Sequence, residues 1–128
     1  MAGFRSRVTE ASQRFAERRR REDEAQRLLE RVPELTGLRL DVEERRAAST
    51  VADSKHVRHV VVDRAPALFY LPCGDPACKD GGHDMTNGLM RGLLSHETGF
   101  ESEDTCSGSV GTAPCGRILR VIAVATYR

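Results

Sequence analysis

Four cysteines, arranged as two pairs in the C-terminal half, constrain the fold of this 128-residue chain more than any other feature. Cys73 and Cys78 lie in LPCGDPACKDGGHD, and Cys106 and Cys115 lie in TCSGSVGTAPCGR. Both segments are rich in glycine and proline, and each adjoins an apolar run typical of a β-strand. Two thiolate pairs presented from tight turns supply the four soft donors of a tetrahedral zinc site. The sequence therefore predicts a metal-stabilised fold.

The spacing of the cysteines favours structural Zn²⁺ bound by all four. The pattern is C-x4-C, then 27 residues, then C-x8-C, so the first gap has the length common in zinc sites. His83 follows Cys78 closely and could replace one cysteine in a site of three cysteines and one histidine. Three other interpretations of the four cysteines are disulfide bonds, a redox pair and four unrelated buried thiols. The first gap does not match the C-x-x-C of thioredoxin-like proteins.

The turns and strands of roughly residues 66–128 resemble the architecture of a zinc ribbon, in which two hairpin-like turns face each other across one metal. This resemblance is to a class of site rather than to a named family. A helix predicted between the two cysteine pairs, over MTNGLMRGLLSHE, departs from a simple ribbon. Its Gly88 and Gly92 are expected to allow close packing on the sheet.

The remaining pattern predicts an α+β fold with two parts, a helical arm over residues 1–33 and a zinc-stabilised domain over residues 34–128. Residues 3–32 lack proline and are rich in helix-forming residues, and Pro33 is expected to end the helix. Alternating and apolar runs predict an antiparallel sheet of about five strands with one short helix. GRILRVIAVATYR, apolar on both faces near Val121, is predicted to be a central strand.

The start of the sequence and its hydropathy predict a cytoplasmic protein with no membrane partner. MAGFRSRVTE has no apolar run of the kind found in signal peptides, and no window has the length of a transmembrane helix. In a reducing compartment, paired cysteines more often bind metal than form structural disulfides. The chain contains no tryptophan, so a zinc site would supplement a core with few large side chains.

The arm carries two candidate interaction features. A run of four arginines is a candidate nucleic-acid contact, but the acids of Glu22 to Glu24 follow it directly and offset its charge. An apolar stripe with coiled-coil-like spacing is suited to a partner helix, to self-association or to packing on the protein's own sheet. The arginines are Arg18, Arg19, Arg20 and Arg21, and the stripe is Phe4, Val8, Ala11 and Phe15.

Catalysis is the third function considered, because four cysteine ligands would leave no open position for water on the metal. The chain has no H-E-x-x-H, no P-loop and no zinc-deaminase signature. The acids Glu101, Glu103 and Asp104 fit an edge strand that discourages aggregation better than a pair of catalytic carboxylates. The sequence thus favours an adaptor or interaction module, with a nucleic-acid- or ribosome-associated accessory factor as the alternative.

Overall fold

A four-stranded antiparallel sheet forms the centre of the protein, which the computed structural model describes at residue 13 and over residues 16–128. Its strand order is β2-β1-β8-β5, so the apolar C-terminal segment is an interior strand, as predicted. The elements of the described part are α1 (Leu28–Arg31), β1 (Leu35–Arg45), β2 (Ser54–Val60), β3 (Tyr70–Leu71), β4 (His83–Asp84), α2 (Thr86–Leu94), β5 (Gly99–Thr105), β6 (Ser109–Val110), β7 (Ala113–Pro114) and β8 (Ile118–Tyr127).

The prediction of an antiparallel sheet is confirmed, but the sheet contains four strands rather than about five. The segment ALFYLP was expected to be another strand of this sheet. Only Tyr70–Leu71 is extended there, and it forms a separate pair with β4. The backbone just before it is bonded elsewhere, because Phe69 N–H donates to Thr86 Oγ1 at 2.9 Å and Phe69 C=O accepts from Met85 N–H at 2.8 Å. These bonds attach the segment to the start of α2 instead of to the sheet.

The predicted single helix over residues 3–32 is interrupted within the described part of the arm. Residues 16–24 are helical, α1 forms one further turn, and Arg27 between them is extended. The break follows from pairing with residues 65–67, since Ala67 N–H donates to Gln26 C=O at 2.7 Å and Leu28 N–H donates to Ala65 C=O at 2.9 Å. These bonds compete with those of a continuous helix. The rest of the arm prediction lies outside the described residues.

The hydrophobic core lies on one face of the sheet. Leu40 and Val42 of β1 and Val121 of β8 point into it and are at most 2% exposed. Leu28 closes one side of this core, and Leu89 and Leu93 of α2 close another. None of the helices in the described ranges has both the length and the apolar character needed to cross a bilayer.

Helix α2 packs closely on β5 through its glycines, as expected from the sequence. A Cβ atom placed on Gly92 would lie 2.5 Å from Cδ2 and Cε2 of Phe100. We expect Gly92→Ala to lower the free energy of unfolding by about 1–3 kcal/mol, because the helix must move away from the ring. Thermal unfolding measures the effect. Gly99→Ala is the control, since nothing lies within 4 Å of its added Cβ; equal stability of the two variants would contradict close packing.

Candidate metal centre

The four cysteines that lie in two separate sequence segments converge on one point in the structure. Their Sγ atoms all lie within 4.8 Å of one another. The Sγ atoms of Cys73 and Cys115 are 3.7 Å apart, and those of Cys78 and Cys106 are also 3.7 Å apart. Each close pair therefore joins one cysteine of the first loop (residues 73–82) to one of the second loop (residues 106–117).

These distances fit four thiolates around one ion. With Zn–S bonds of about 2.3 Å, the edge of a sulfur tetrahedron is about 3.8 Å. A disulfide bond would place two sulfurs about 2.0 Å apart. All four cysteines are free, so the structure groups the four predicted side chains without a disulfide bond between them. The arrangement could hold a metal ion, and the sulfur donors favour a soft or borderline metal.

Backbone hydrogen bonds fasten the two loops to each other. Lys79 and Ser109 exchange a pair of them, at 2.7 and 3.0 Å, and so form a bridge between the loops next to Cys78. In the second loop, Cys106 N–H donates to Arg117 C=O at 2.8 Å, and Cys115 N–H donates to Gly108 C=O at 2.8 Å. These bonds hold the sulfurs in position through the main chain.

Two glycines allow the loops to approach this closely. A Cβ atom on Gly81 would lie 2.5 Å from Cys106 Sγ and nearer still to Cys78 Sγ. A Cβ atom on Gly108 would lie 2.5 Å from Cys78 Sγ and 2.6 Å from Gly81 Cα. The glycine-rich composition of the two segments predicts tight turns but not these contacts of Gly81 and Gly108 with the sulfurs. Both positions are restricted to glycine by the space around the sulfurs.

Burial makes the thiolate form of two cysteines costly in the absence of a cation. Burial raises the pKa of Cys73 from 9.0 to about 11 and also raises the pKa of Cys78. At Cys106 burial acts in the same direction, but hydrogen bonds from the backbone amides of Gly108 and Gly82 outweigh it, and the pKa is lowered. A bound cation would favour the thiolate form of every ligand, because opposite charge stabilises the ionised group.

The buried carboxylate of Glu44, on β1, contacts both cysteine loops. Glu44 is 4% exposed, and its two oxygens accept the Gly74 N–H at 3.0 and 3.2 Å. The same carboxylate forms an ion pair with Nε of Arg117. Gly74 directly follows Cys73, and Arg117 lies two residues after Cys115. Glu44 thus contacts one loop through a backbone amide and the other through a guanidinium.

Arg117 also contacts a second carboxylate, that of Asp53. Its Nη1 and Nη2 atoms lie 3.1 and 2.5 Å from the Asp53 oxygens. This hydrogen-bonded guanidinium lowers the pKa of Asp53, and the two carboxylates raise the pKa of Arg117. The guanidinium of Arg117 therefore lies between Asp53, in the turn that precedes β2, and Glu44, near the end of β1. No motif or spacing in the sequence singles out Glu44, Asp53 or Arg117.

His83, the alternative ligand, is buried beside the centre but is not one of the four grouped side chains. Its ring is 0% exposed, and its Nδ1 atom lies 2.9 Å from Oδ2 of Asp104. Its Nε2 atom lies 3.5 Å from Oε2 of Glu44 and has no hydrogen-bond partner within the described chain. The histidine therefore lies between two carboxylates, one from β1 and one from β5, and connects the sheet to the end of the first loop.

The other candidate residues lie away from the sulfurs or outside the described part. Arg18 packs its guanidinium over the Tyr70 ring, 4.8 Å from the ring centroid, whereas Arg19, Arg20 and Arg21 are exposed. Glu101 and Glu103 lie on the edge strand β5, as expected, and Glu101 pairs with Arg120. The stripe of Phe4, Val8, Ala11 and Phe15 falls outside the described residues.

Comparison of the chain with protein-family models, with curated proteins and with solved structures gave no match in any of the three. The cysteine cluster and its surroundings are therefore the features from which a function can be inferred.

Proposed function

We propose that this chain is a small zinc protein in which a structural four-cysteine centre stabilises an interaction module. The observation that carries the proposal is the convergence of four free thiols within 4.8 Å of one another. Zinc is the metal proposed because four thiolates in a near-tetrahedral group are typical of structural zinc sites. The ion would be held by Cys73, Cys78, Cys106 and Cys115.

Support for a structural role comes from the ligand number and the surroundings of the sulfurs. Catalytic zinc keeps a position open for water or substrate, and four protein ligands fill the tetrahedron. Gly81 and Gly108 pack directly against Sγ atoms, so the centre is enclosed by main chain on that side. A metal there would connect the two loops, and its binding free energy would contribute to folding. An adaptor with a stabilised surface fits this arrangement better than an enzyme.

Native mass spectrometry of the full chain, purified without chelator, tests the proposal. We expect one zinc ion per chain under native conditions and none after acid denaturation, because the thiolates must be deprotonated to bind the metal. Elemental analysis of the same sample identifies the metal. A chain that contains no metal after zinc has been supplied under reducing conditions would contradict the proposal.

A further inference from the structure

Strand β2 lies at the edge of the sheet, and most of its side chains on both faces are exposed. Six of its seven residues are exposed. In the described chain it pairs with β1 alone. A strand with one free edge presents unpaired backbone N–H and C=O groups, to which an extended segment of another chain can bind.

A groove lies beside β2 on the core side of the sheet. The register places Arg58 opposite Leu40 and His56 opposite Val42, so these two polar side chains share a face with the core. Both side chains are nevertheless exposed. The groove has a volume of about 220 Å³. Its lining is mostly apolar at one end, and it includes Val42, Leu71, Pro72, Leu119, Ser54, His56 and the buried, ion-paired Glu44.

The size of the groove favours a side chain over a small molecule. Pockets for drug-sized ligands begin at about 300 Å³, above the volume found here. A single apolar side chain from an added strand would fit the space between Val42 and Pro72. Alternate side chains of that strand would point towards the groove, and the others would point to the opposite face of the sheet.

Exposed valines concentrate on and around the same strand. Val57 of β2 is 55% exposed, and Val51 and Val61 on either side of the strand are 71% and 60% exposed. They account for three of the five exposed large apolar side chains of the described residues. Charged residues that merely protect an edge from aggregation would explain Lys55 and Arg58, but they would not explain these valines or the groove.

The charge of β2 indicates the chemistry of its partner. The strand carries Lys55 and Arg58 and no acid. Neither of these side chains forms a salt bridge within the part of the chain that the structure describes. Pairing of two β2 strands would bring like charges together, which is unfavourable. An acidic strand would complement the two cations.

We propose that β2 binds an extended acidic peptide, which adds to the sheet as a fifth strand and inserts an apolar side chain into the groove. This inference rests on the proposed function, because it assigns a surface and a partner class to the interaction module. The metal centre supports the surface directly, since the first cysteine loop, with Cys73 and Gly74, forms part of the groove.

Fluorescence anisotropy with a labelled nine-residue peptide, which carries a central leucine for the groove and glutamates on both faces of the strand to meet Lys55 and Arg58, tests the proposal on the full zinc-loaded chain. We expect a Kd below about 1 mM at low salt. Methylation of alternate peptide nitrogens is expected to weaken binding at least tenfold, because it removes the strand hydrogen bonds. A peptide with lysine in place of glutamate is expected not to bind. Absence of binding by the glutamate peptide would overturn the proposal.

The double substitution Lys55→Gln with Arg58→Gln is expected to weaken peptide binding at least tenfold. Its control is Arg31→Gln with Arg91→Gln, which removes the same charge from exposed positions on α1 and α2. Both variants should retain the metal content of the parent chain. Equal peptide affinity of the two variants would place the binding site elsewhere and overturn the proposal.

Two further measurements separate the competing occupants. Light scattering that shows a dimer, lost on substitution of Lys55 and Arg58, would replace the peptide by a second copy of the chain. Tighter binding of single-stranded poly(U) RNA than of the peptide, through the same two residues, would replace it by nucleic acid. Peptide binding by a chain that takes up no zinc when zinc is supplied would contradict the proposed function alone. A zinc-loaded chain that does not bind the peptide would contradict this inference alone.

Discussion

The substitution Cys78→Ser is expected to abolish zinc retention and to lower the melting temperature strongly. The Sγ atom of Cys78 lies 3.7 Å from the Sγ atom of Cys106 and is one of the four grouped sulfur atoms. Structural zinc contributes roughly 10 kcal/mol or more in zinc-finger peptides, so loss of the ion removes a large part of the folding free energy. Zinc content and thermal unfolding, measured on the same sample under reducing conditions, report the two effects.

Two variants control for effects unrelated to metal binding. Lys79→Ser changes the adjacent exposed side chain and leaves the backbone bridge to Ser109 in place, so it should keep full zinc content. Cys78→His offers an imidazole nitrogen in place of the thiolate and should recover part of the zinc affinity. Full zinc occupancy with unchanged melting in Cys78→Ser would show that the cysteines do not hold a metal.

The second large effect is expected for Glu44→Gln, which removes the buried negative charge between the two loops. Arg117 would keep Asp53 but lose its buried partner, and the Gly74 N–H would lose the charge of its acceptor. Removal of one member of a buried ion pair costs about 3–5 kcal/mol, and the remaining Asp53 contact places the expected loss near the lower limit. Chemical denaturation of the zinc-loaded protein measures it.

The neighbouring residue provides the matched control for Glu44. Glu43 points to the opposite face of the sheet, so Glu43→Gln should change stability by about 0.5 kcal/mol or less. If Glu44 acts by orienting the loops around the metal, Glu44→Gln should also release zinc to a chelator at lower chelator concentration than Glu43→Gln does. Equal zinc affinity in the two variants would limit Glu44 to a role in folding stability.

Glu44 also shows what the sequence could have predicted about the site. Leu38, Leu40 and Val42 alternate with Arg39, Asp41 and Glu43, and this alternation correctly predicts the inward face of β1. If the alternation is continued by two residues from Val42, it places the carboxylate of Glu44 on the core side of the sheet. A charged side chain that points into the core needs a buried partner. That partner, Arg117, lies 73 residues away, and no local pattern connects the two.

The cysteine cluster was predictable because a four-thiolate metal site imposes a residue type, a number and a spacing on the sequence. The interrupted arm was not predictable in the same way. Helix propensity favours residues 25–27 in a helix, but the extended segment around Pro66 binds their backbone instead. ALFYLP likewise has a strand composition, and its hydrogen bonds to the start of α2 keep it out of the sheet. Both differences arise from tertiary contacts that outweigh local preference.

The antiparallel pairing of β1 with β8 also has a consequence for the rate at which this molecule folds. These strands occupy the middle of the sheet, yet they are separated by most of the described chain. Contacts between such distant segments form slowly, because the entropy of closing the intervening loop must be overcome first. Cys78 and Cys106, whose Sγ atoms form one of the close pairs, are separated by only 28 positions in the sequence. An ion bound early by these two cysteines would shorten the remaining search, and would therefore act on the rate of folding as well as on the final stability.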